Sequence, residues 1–220
     1  MAEKRTAIIL AGGKGSRMGG VDKALIEFRG KPLLAHVLTS ISRIADEIII
    51  SMRDDAQKIS IVTTLEPFVD LDGTSVRIVY DRYKDAGPLA GIHAGISAAT
   101  CGYSFICACD MPFICADVVD LLFSCAAGHD GAIARWDNNY LEPLHAVYRN
   151  GELVKRIEES IQAGDNTILA PVSKLQDIKY VEMDEIRKID TNLQTFINLN
   201  TFKDIVAMKN IQKWPPETIV

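Results

Sequence analysis

The sequence predicts a single α/β domain built on a mainly parallel, doubly wound sheet, and three observations carry that expectation. Short β-rich runs alternate with helical periodicities from residue 6 to about residue 208. Runs such as Ala7-Ile8-Ile9-Leu10 and Ile48-Ile49-Ile50 are unbroken rather than alternating, as befits central strands covered on both faces. No internal repeat, low-complexity tract or Pro/Gly-rich linker divides the 220 residues, a length that suits one sizeable core.

Thr6 to Leu10 reads as the first strand and stops at glycine. Leu25 to Phe28 reads as a short strand and Arg29 to Lys31 as a turn. Pro32 suits the first turn of a helix whose apolar positions Leu33, Leu34, Val37, Leu38, Ile41 and Ile44 recur at helical spacing. Glu47 to Ser51 is a strand and Asp54 to Leu65 a helix. Val76 to Tyr80 is a strand, followed by a helix from about Leu89 to Ala99. Tyr103 to Ala108 is the next strand, and Val118, Val119, Leu121 and Leu122 mark the helix after it. Strands at Asp130 to Arg135 and Leu144 to Arg149 precede a helix through Leu153, Val154, Ile157 and Ile161. A strand from Ile178 to Met183 follows. The last pair is a strand, Phe196 to Leu199, and a helix, Thr201 to Met208. Residues 1–209 make up the domain, and residues 210–220, with Pro215-Pro216, read as a loose tail.

Apolar residues at 48% and charged residues at 24% are ordinary for a globular domain. The net charge is −5 and the Lys and Arg residues are scattered, which argues against a nucleic-acid partner. The apolar run Ala7 to Ala11 is too short for a signal peptide, and no later run approaches the ~20 residues of a membrane span. Five cysteines, at 101, 107, 109, 115 and 125, are an odd count crowded into one quarter of the chain, unlike a disulfide framework. They are expected as reduced thiols in a cytoplasmic protein. Cys107 and Cys109 share a strand face, but without paired C-x-x-C elements or nearby histidines they read as buried apolar groups rather than zinc ligands.

In open α/β sheets, ligands bind beyond the carboxyl ends of the strands. A glycine-rich segment follows the first predicted strand, Asp81 follows the strand Val76 to Tyr80, Asp110 the strand Tyr103 to Ala108 and Asn200 the last strand. Gly12, Gly13 and Gly15 let backbone N–H groups approach phosphate oxygens, and Arg17 and Lys23 add positive charge. The spacing is neither G-x-x-x-x-G-K-[ST] nor G-x-G-x-x-G. Asp110, in Cys109-Asp110-Met111-Pro112-Phe113, is either a Mg²⁺ ligand or the residue that closes the turn. Asp81 either accepts hydrogen bonds from a guanine edge or a ribose, or forms a turn. Gly87 and Gly91 flank the start of a helix whose amides suit an anion. Asn200 is a neutral metal ligand or, more simply, the N-cap of the last helix. His36 and His93 sit in apolar patterns and read as packed. Glu142 and His145 are candidates for an acceptor pocket. No Ser/His/Asp or Cys/His pairing suggests a covalent nucleophile.

Four segments, taken together, resemble the molybdenum cofactor guanylyltransferase family. They are Leu10-Ala11-Gly12-Gly13-Lys14-Gly15-Ser16-Arg17-Met18-Gly19-Gly20-Val21-Asp22-Lys23, Gly87-Pro88-Leu89-Ala90-Gly91, Cys109-Asp110-Met111-Pro112-Phe113 and Asn198-Leu199-Asn200-Thr201. The resemblance runs along roughly residues 6–208 and is looser from Asp130 to Asp190. It implies a Rossmann-like nucleotidyltransferase fold, with a nucleotide half at about 1–115 and an acceptor half at about 116–209. It implies a GTP-dependent reaction on molybdopterin, Mg²⁺ as cofactor, and molybdoenzymes or other cofactor-assembly proteins as partners. Leu10, Ala11, Gly12, Lys23, Asp81 and Asp110 would contact GTP, with Asp110 also binding Mg²⁺. Ser51 stands where the family often has an asparagine at the nucleotide. Two rivals remain: a kindred enzyme acting on another phosphorylated acceptor (a sugar phosphate, a cobinamide, or molybdopterin with CTP), and a non-catalytic GTP-binding partner in cofactor assembly.

Overall fold

A computed structural model describes residues 4–12, 22–68, 75–83 and 85–209. Gly13, Gly15 and Arg17, and the tail from residue 210, lie outside the described residues. The elements are β1 (Thr6–Leu10), β2 (Glu27–Phe28), β3 (Lys31–Pro32), α1 (Leu33–Ile41), β4 (Glu47–Met52), α2 (Asp55–Leu65), β5 (Ser75–Tyr80), α3 (Pro88–Ala98), β6 (Tyr103–Ala108), α4 (Ala116–Ala126), β7 (Gly131–Arg135), β8 (Leu141–Arg149), α5 (Asn150–Gln162), α6 (Leu169–Val172), β9 (Ile178–Glu182), α7 (Met183–Ile186) and α8 (Phe202–Lys209). A seven-stranded sheet runs β5-β4-β1-β6-β8-β7-β9, and β2 and β3 form a separate small hairpin.

The chain starts in the middle of this sheet, winds outward through β4 and β5, then returns to β6 on the other side of β1. All three pairings, β1 with β4, β1 with β6 and β4 with β5, are parallel. The direction of winding therefore switches at β1, which opens a crevice at its carboxyl end. Helices cover both faces. Leu34, Val37, Leu38 and Ile41 of α1, with Val118, Val119 and Leu122 of α4, bury one face. Leu89, Ile92 and Ile96 of α3, with Leu153 and Ile157 of α5, bury the other. This double coverage explains why β1 and β4 read as unbroken apolar runs. No helix of the described residues is long and apolar enough to cross a membrane.

The sheet is mainly parallel, as expected, with one antiparallel strand, and other details depart from the expected elements. The strand β8 is antiparallel to both of its neighbours, β6 and β7. Only a short hairpin joins β7 to β8, with Asn139 at φ 63° in its turn, and so short a link cannot make a parallel crossover. Residues 196–199 are not a strand. Gln194–Phe196 is a 3₁₀ turn, and the Leu199 N–H donates to the Asp110 carbonyl at 2.9 Å instead of to a neighbouring strand. Lys23–Leu25 is also a 3₁₀ turn, which shortens the expected strand to Glu27–Phe28. Pro32 ends β3 in extended backbone just before α1 rather than lying in the helix.

Candidate functional site

At the switch point, Leu10, Ala11, Gly12, Lys23, Ser51, Asp81 and Asp110 line one cavity of about 600 Å³. That size is ordinary for a small-molecule pocket. Its floor is the carboxyl ends of β1, β4 and β6. The Ala11 N–H donates to the Ser51 carbonyl and the Cys109 N–H to the Leu10 carbonyl, so the sheet ladder continues into the site.

One wall is charged. Asp22 opens the 3₁₀ turn Lys23–Leu25 and accepts the Ala24 N–H through Oδ1 at 3.1 Å. That turn aims Lys23, whose Nζ donates to Asp110 Oδ2 at 2.9 Å and to Asn200 Oδ1 at 2.8 Å. A lysine only donates, so the contact fixes which atom of the Asn200 amide is the oxygen. Asp110 is 6% exposed, and its Oδ1 is buried with no hydrogen-bond partner among the described residues. Burial, and then the adjacent Asp110 carboxylate, push the Cys109 thiol well above the usual range, so it stays protonated and packs as an apolar group.

The opposite wall carries Asp81. The buried Ser51 hydroxyl donates to Asp81 Oδ1 at 2.8 Å. Burial is the larger influence and raises the Asp81 pKa, while the Ser51 hydrogen bond pulls it back. Gly91 of α3 allows this pair to form. A Cβ there would lie 2.8 Å from Ser51 Oγ, 3.2 Å from Leu10 Cδ2 and 3.4 Å from Asp81 Oδ1. Gly12 is nearly as close, with Asp81 Oδ2 at 3.3 Å from a Cβ position.

Three expectations need correction. Asn200 is not the N-cap of α8. Thr201 holds that position, its Oγ1 accepting the Asp204 N–H at 3.2 Å while the Asp204 carboxylate takes the N–H groups of Thr201 and Asn200 at 2.7 and 2.9 Å. This reciprocal box leaves the Asn200 side chain free to meet Lys23. Thr201→Ala should therefore cost about 1 kcal/mol of stability, read as a shifted denaturant midpoint, and should loosen the Asn200–Lys23 contact. His145 does not face the pocket. It has no exposed surface, stands between the rings of Phe105 and Phe196, and meets Thr195 Oγ1 at 3.1 Å. Burial pushes its pKa down to about 3, so it is a neutral core side chain. Glu142 lies off the cavity too, accepting the Trp136 indole N–H at 2.7 Å. Its pKa is raised by burial, with the Trp136 bond opposing.

Sequence reading missed two contributors. Arg53 lines the cavity beside Gly12, with its guanidinium 3.7 Å from Asp22. Gln57 is 4% exposed and bonds to both Ala11 and Asp22. Its signal was legible: Gln57 shares the buried stripe of α2 with Ile61 and Leu65, where an apolar residue would ordinarily stand.

The crevice lies at the topological switch point, where doubly wound α/β proteins bind their ligands, and it holds a lysine on a buried carboxylate. The match of the chain to known sequences makes it a nucleotidyltransferase of the doubly wound type. Residues 7–178 match the family model described as the MobA-like NTP transferase domain. A Methanosarcina mazei protein named "Probable molybdenum cofactor guanylyltransferase" is 46% identical, over 93% of this chain and 89% of its own length. A Methanosarcina acetivorans protein of the same name is 47% identical, over 94% and 90%. Among solved structures, molybdopterin-guanine dinucleotide biosynthesis protein A from Archaeoglobus fulgidus superposes with a TM-score of 0.77 at 30% identity, covering 94% of this chain and 97% of that one. The chain belongs to the molybdenum cofactor guanylyltransferase family.

Proposed function

We propose that this protein transfers GMP from GTP to the terminal phosphate of molybdopterin, giving the guanine dinucleotide form of the cofactor and pyrophosphate. The observation that carries the reading is the opposition of two walls in one cavity: Lys23 on Asp110 and Asn200, and Asp81 on Ser51. The first wall suits a triphosphate and the second a hydrogen-bonding base.

The acceptor phosphate is already an anion and needs no general base. An acceptor oxygen forms a bond to the α-phosphorus of GTP as the bond from that phosphorus to the bridging oxygen of the β-phosphate breaks, and the electron pair leaves with pyrophosphate. Catalysis then reduces to positioning and charge neutralisation. Lys23 supplies a cation to the leaving pyrophosphate, and Asp110 and Asn200 hold that cation in place beforehand, so little reorganisation is needed. Arg17 would add a second cation. Gly12 allows the backbone to come close to the phosphates, and Asp81 accepts the guanine N1–H and amino group.

Mg²⁺ fits the residues. The buried Asp110 Oδ1 has no protein partner among the described residues, and a hard oxygen of that kind suits a cation that keeps several waters, while the Asn200 amide oxygen shares Lys23 with the other oxygen of the same carboxylate. When bound, Mg²⁺ would neutralise charge on the triphosphate oxygens. All five cysteines are free, which supports a reducing, cytoplasmic setting, and the product would pass to molybdenum- or tungsten-dependent enzymes.

The test combines GTP, molybdopterin and Mg²⁺ and follows the dinucleotide and pyrophosphate together. Formation of both is expected. Turnover of CTP or UTP but not GTP would overturn the base assignment, and GTP binding without pyrophosphate release would overturn the enzymatic reading.

A pH signature follows from Asp81. Its raised pKa means that it takes up a proton at a higher pH than a free aspartate does. A protonated carboxyl accepts guanine N–H groups poorly, so KM for GTP should rise on the acid side, and at a higher pH than a free aspartate would give. Stability runs the other way: a raised folded-state pKa favours the fold at low pH, and that contribution fades as pH rises through the folded-state value. Ser51→Ala removes the hydrogen bond that lowers the pKa and should shift the acid limb further upward. Asp81→Asn should abolish it. A KM–pH profile unchanged in Asp81→Asn would exclude the assignment.

A further inference from the structure

We propose that Gln57 is a positioning residue for Lys23, acting through Asp22, a role that rests on the reaction proposed above. The Gln57 side chain is 4% exposed, and every polar group on it is engaged. Its Nε2 donates to the Ala11 carbonyl at 2.8 Å and to Asp22 Oδ2 at 2.5 Å, while Oε1 accepts the Arg53 N–H at 2.8 Å. The partners settle the amide's orientation, because a carbonyl and a carboxylate only accept and a backbone N–H only donates. The backbone of Gln57 is fixed as well: its N–H donates to the Asp54 side chain at 2.8 Å, the N-cap of α2.

Ala11 follows β1 and Asp22 begins the turn that carries Lys23, so one buried amide ties together the two sides of the glycine-rich segment. Asp22 passes the constraint on. Its Oδ2 is held by Gln57 while its Oδ1 caps the Ala24 N–H, and the turn so formed directs the Lys23 ammonium at Asp110 and Asn200. An error of about 1 Å in such a group can cost on the order of 10²-fold in rate. Glutamate at this position would have the same shape but no N–H groups to donate, and it would face the Ala11 carbonyl and the Asp22 carboxylate with a like charge.

The experiment is a double-mutant cycle on the full chain, with GTP, molybdopterin and Mg²⁺, measuring kcat and KM separately and checking folding by melting temperature. Gln57→Glu should lower kcat by about 10²-fold with KM for GTP changed by less than about threefold. In a Lys23→Ala background, the same substitution should change kcat by less than about threefold, because the group it positions is gone. Wild-type kcat in folded Gln57→Glu would overturn the proposal. So would an equal loss with and without Lys23, the outcome of a merely structural role. Where Gln57→Glu does not fold, Gln57→Met takes its place in the cycle, with the same outcomes deciding. Failure of the wild type to use GTP would overturn the functional reading instead, and the cycle would then be run with the triphosphate that it does use.

Discussion

Lys23→Ala is expected to lower kcat/KM by about 10²-fold or more, the scale seen when one preorganised charge-stabilising donor is removed. The loss should fall mainly on kcat, because in the proposed reaction the ammonium neutralises charge that develops as pyrophosphate leaves. The same substitution strips Asp110, which is 6% exposed, of its only described partner for Oδ2. A buried carboxylate left without its counter-charge costs on the order of 2 kcal/mol, less than for a fully buried pair because the Lys23 side chain is itself 23% exposed. These two effects can be separated. Adding Asp110→Asn removes the uncompensated charge and should return most of the lost stability, read by denaturant midpoint. It should return none of the activity, because a side chain assigned to Mg²⁺ has then been lost as well. Wild-type turnover in Lys23→Ala would remove Lys23 from the mechanism. Activity that recovered together with stability would mean that the pair is structural.

Much of the sheet from β1 to β6 could be read from the sequence, and the reason is physical. β1 and β6 are apolar runs buried on both faces with a polar residue or glycine within two positions of each end, and the expected bounds Thr6 to Leu10 and Tyr103 to Ala108 coincide with the observed ones. Asp81 and Asp110 follow from strand ends, because an open parallel sheet has its crevice there. What could not be read depends on contacts distant in sequence. The segment Phe196 to Leu199 has strand-like composition, but it begins in a 3₁₀ turn and its Leu199 N–H is tied to the Asp110 carbonyl. The sequence of β8, Leu144-His145-Ala146-Val147, does not reveal which face is covered by aromatic rings, so His145 looked available. Asn200 is a different case. Asn200 and Thr201 could each cap a helix, but Asp204 stands three residues after Thr201, the spacing of a capping box, and that spacing was visible in the sequence.

Gly91→Ala should raise KM for GTP tenfold or more while leaving kcat much less affected. The added methyl would meet Ser51 Oγ at 2.8 Å, closer than side chains pack, and Asp81 Oδ1 at 3.4 Å. Ser51 is 1% exposed and has little room to retreat, so the hydroxyl must turn away from Asp81 or α3 must shift. Either response misaligns the carboxylate assigned to the base, and a lost or distorted hydrogen bond of about 1.4 kcal/mol corresponds to that tenfold change. Overpacking also costs stability, by about 1–3 kcal/mol, so a control with the same backbone cost is needed. Gly95 provides one. It lies one turn further along α3, and a Cβ there would sit 2.5 Å from Ile8 Cγ2, an apolar contact remote from Ser51 and Asp81. Gly95→Ala should therefore lower the melting temperature at least as much as Gly91→Ala while KM for GTP stays near wild type, measured well below either midpoint. If both variants raised KM equally, the effect would come from helix displacement. The absence of Cβ at Gly91 would then have no particular bearing on the Ser51–Asp81 pair.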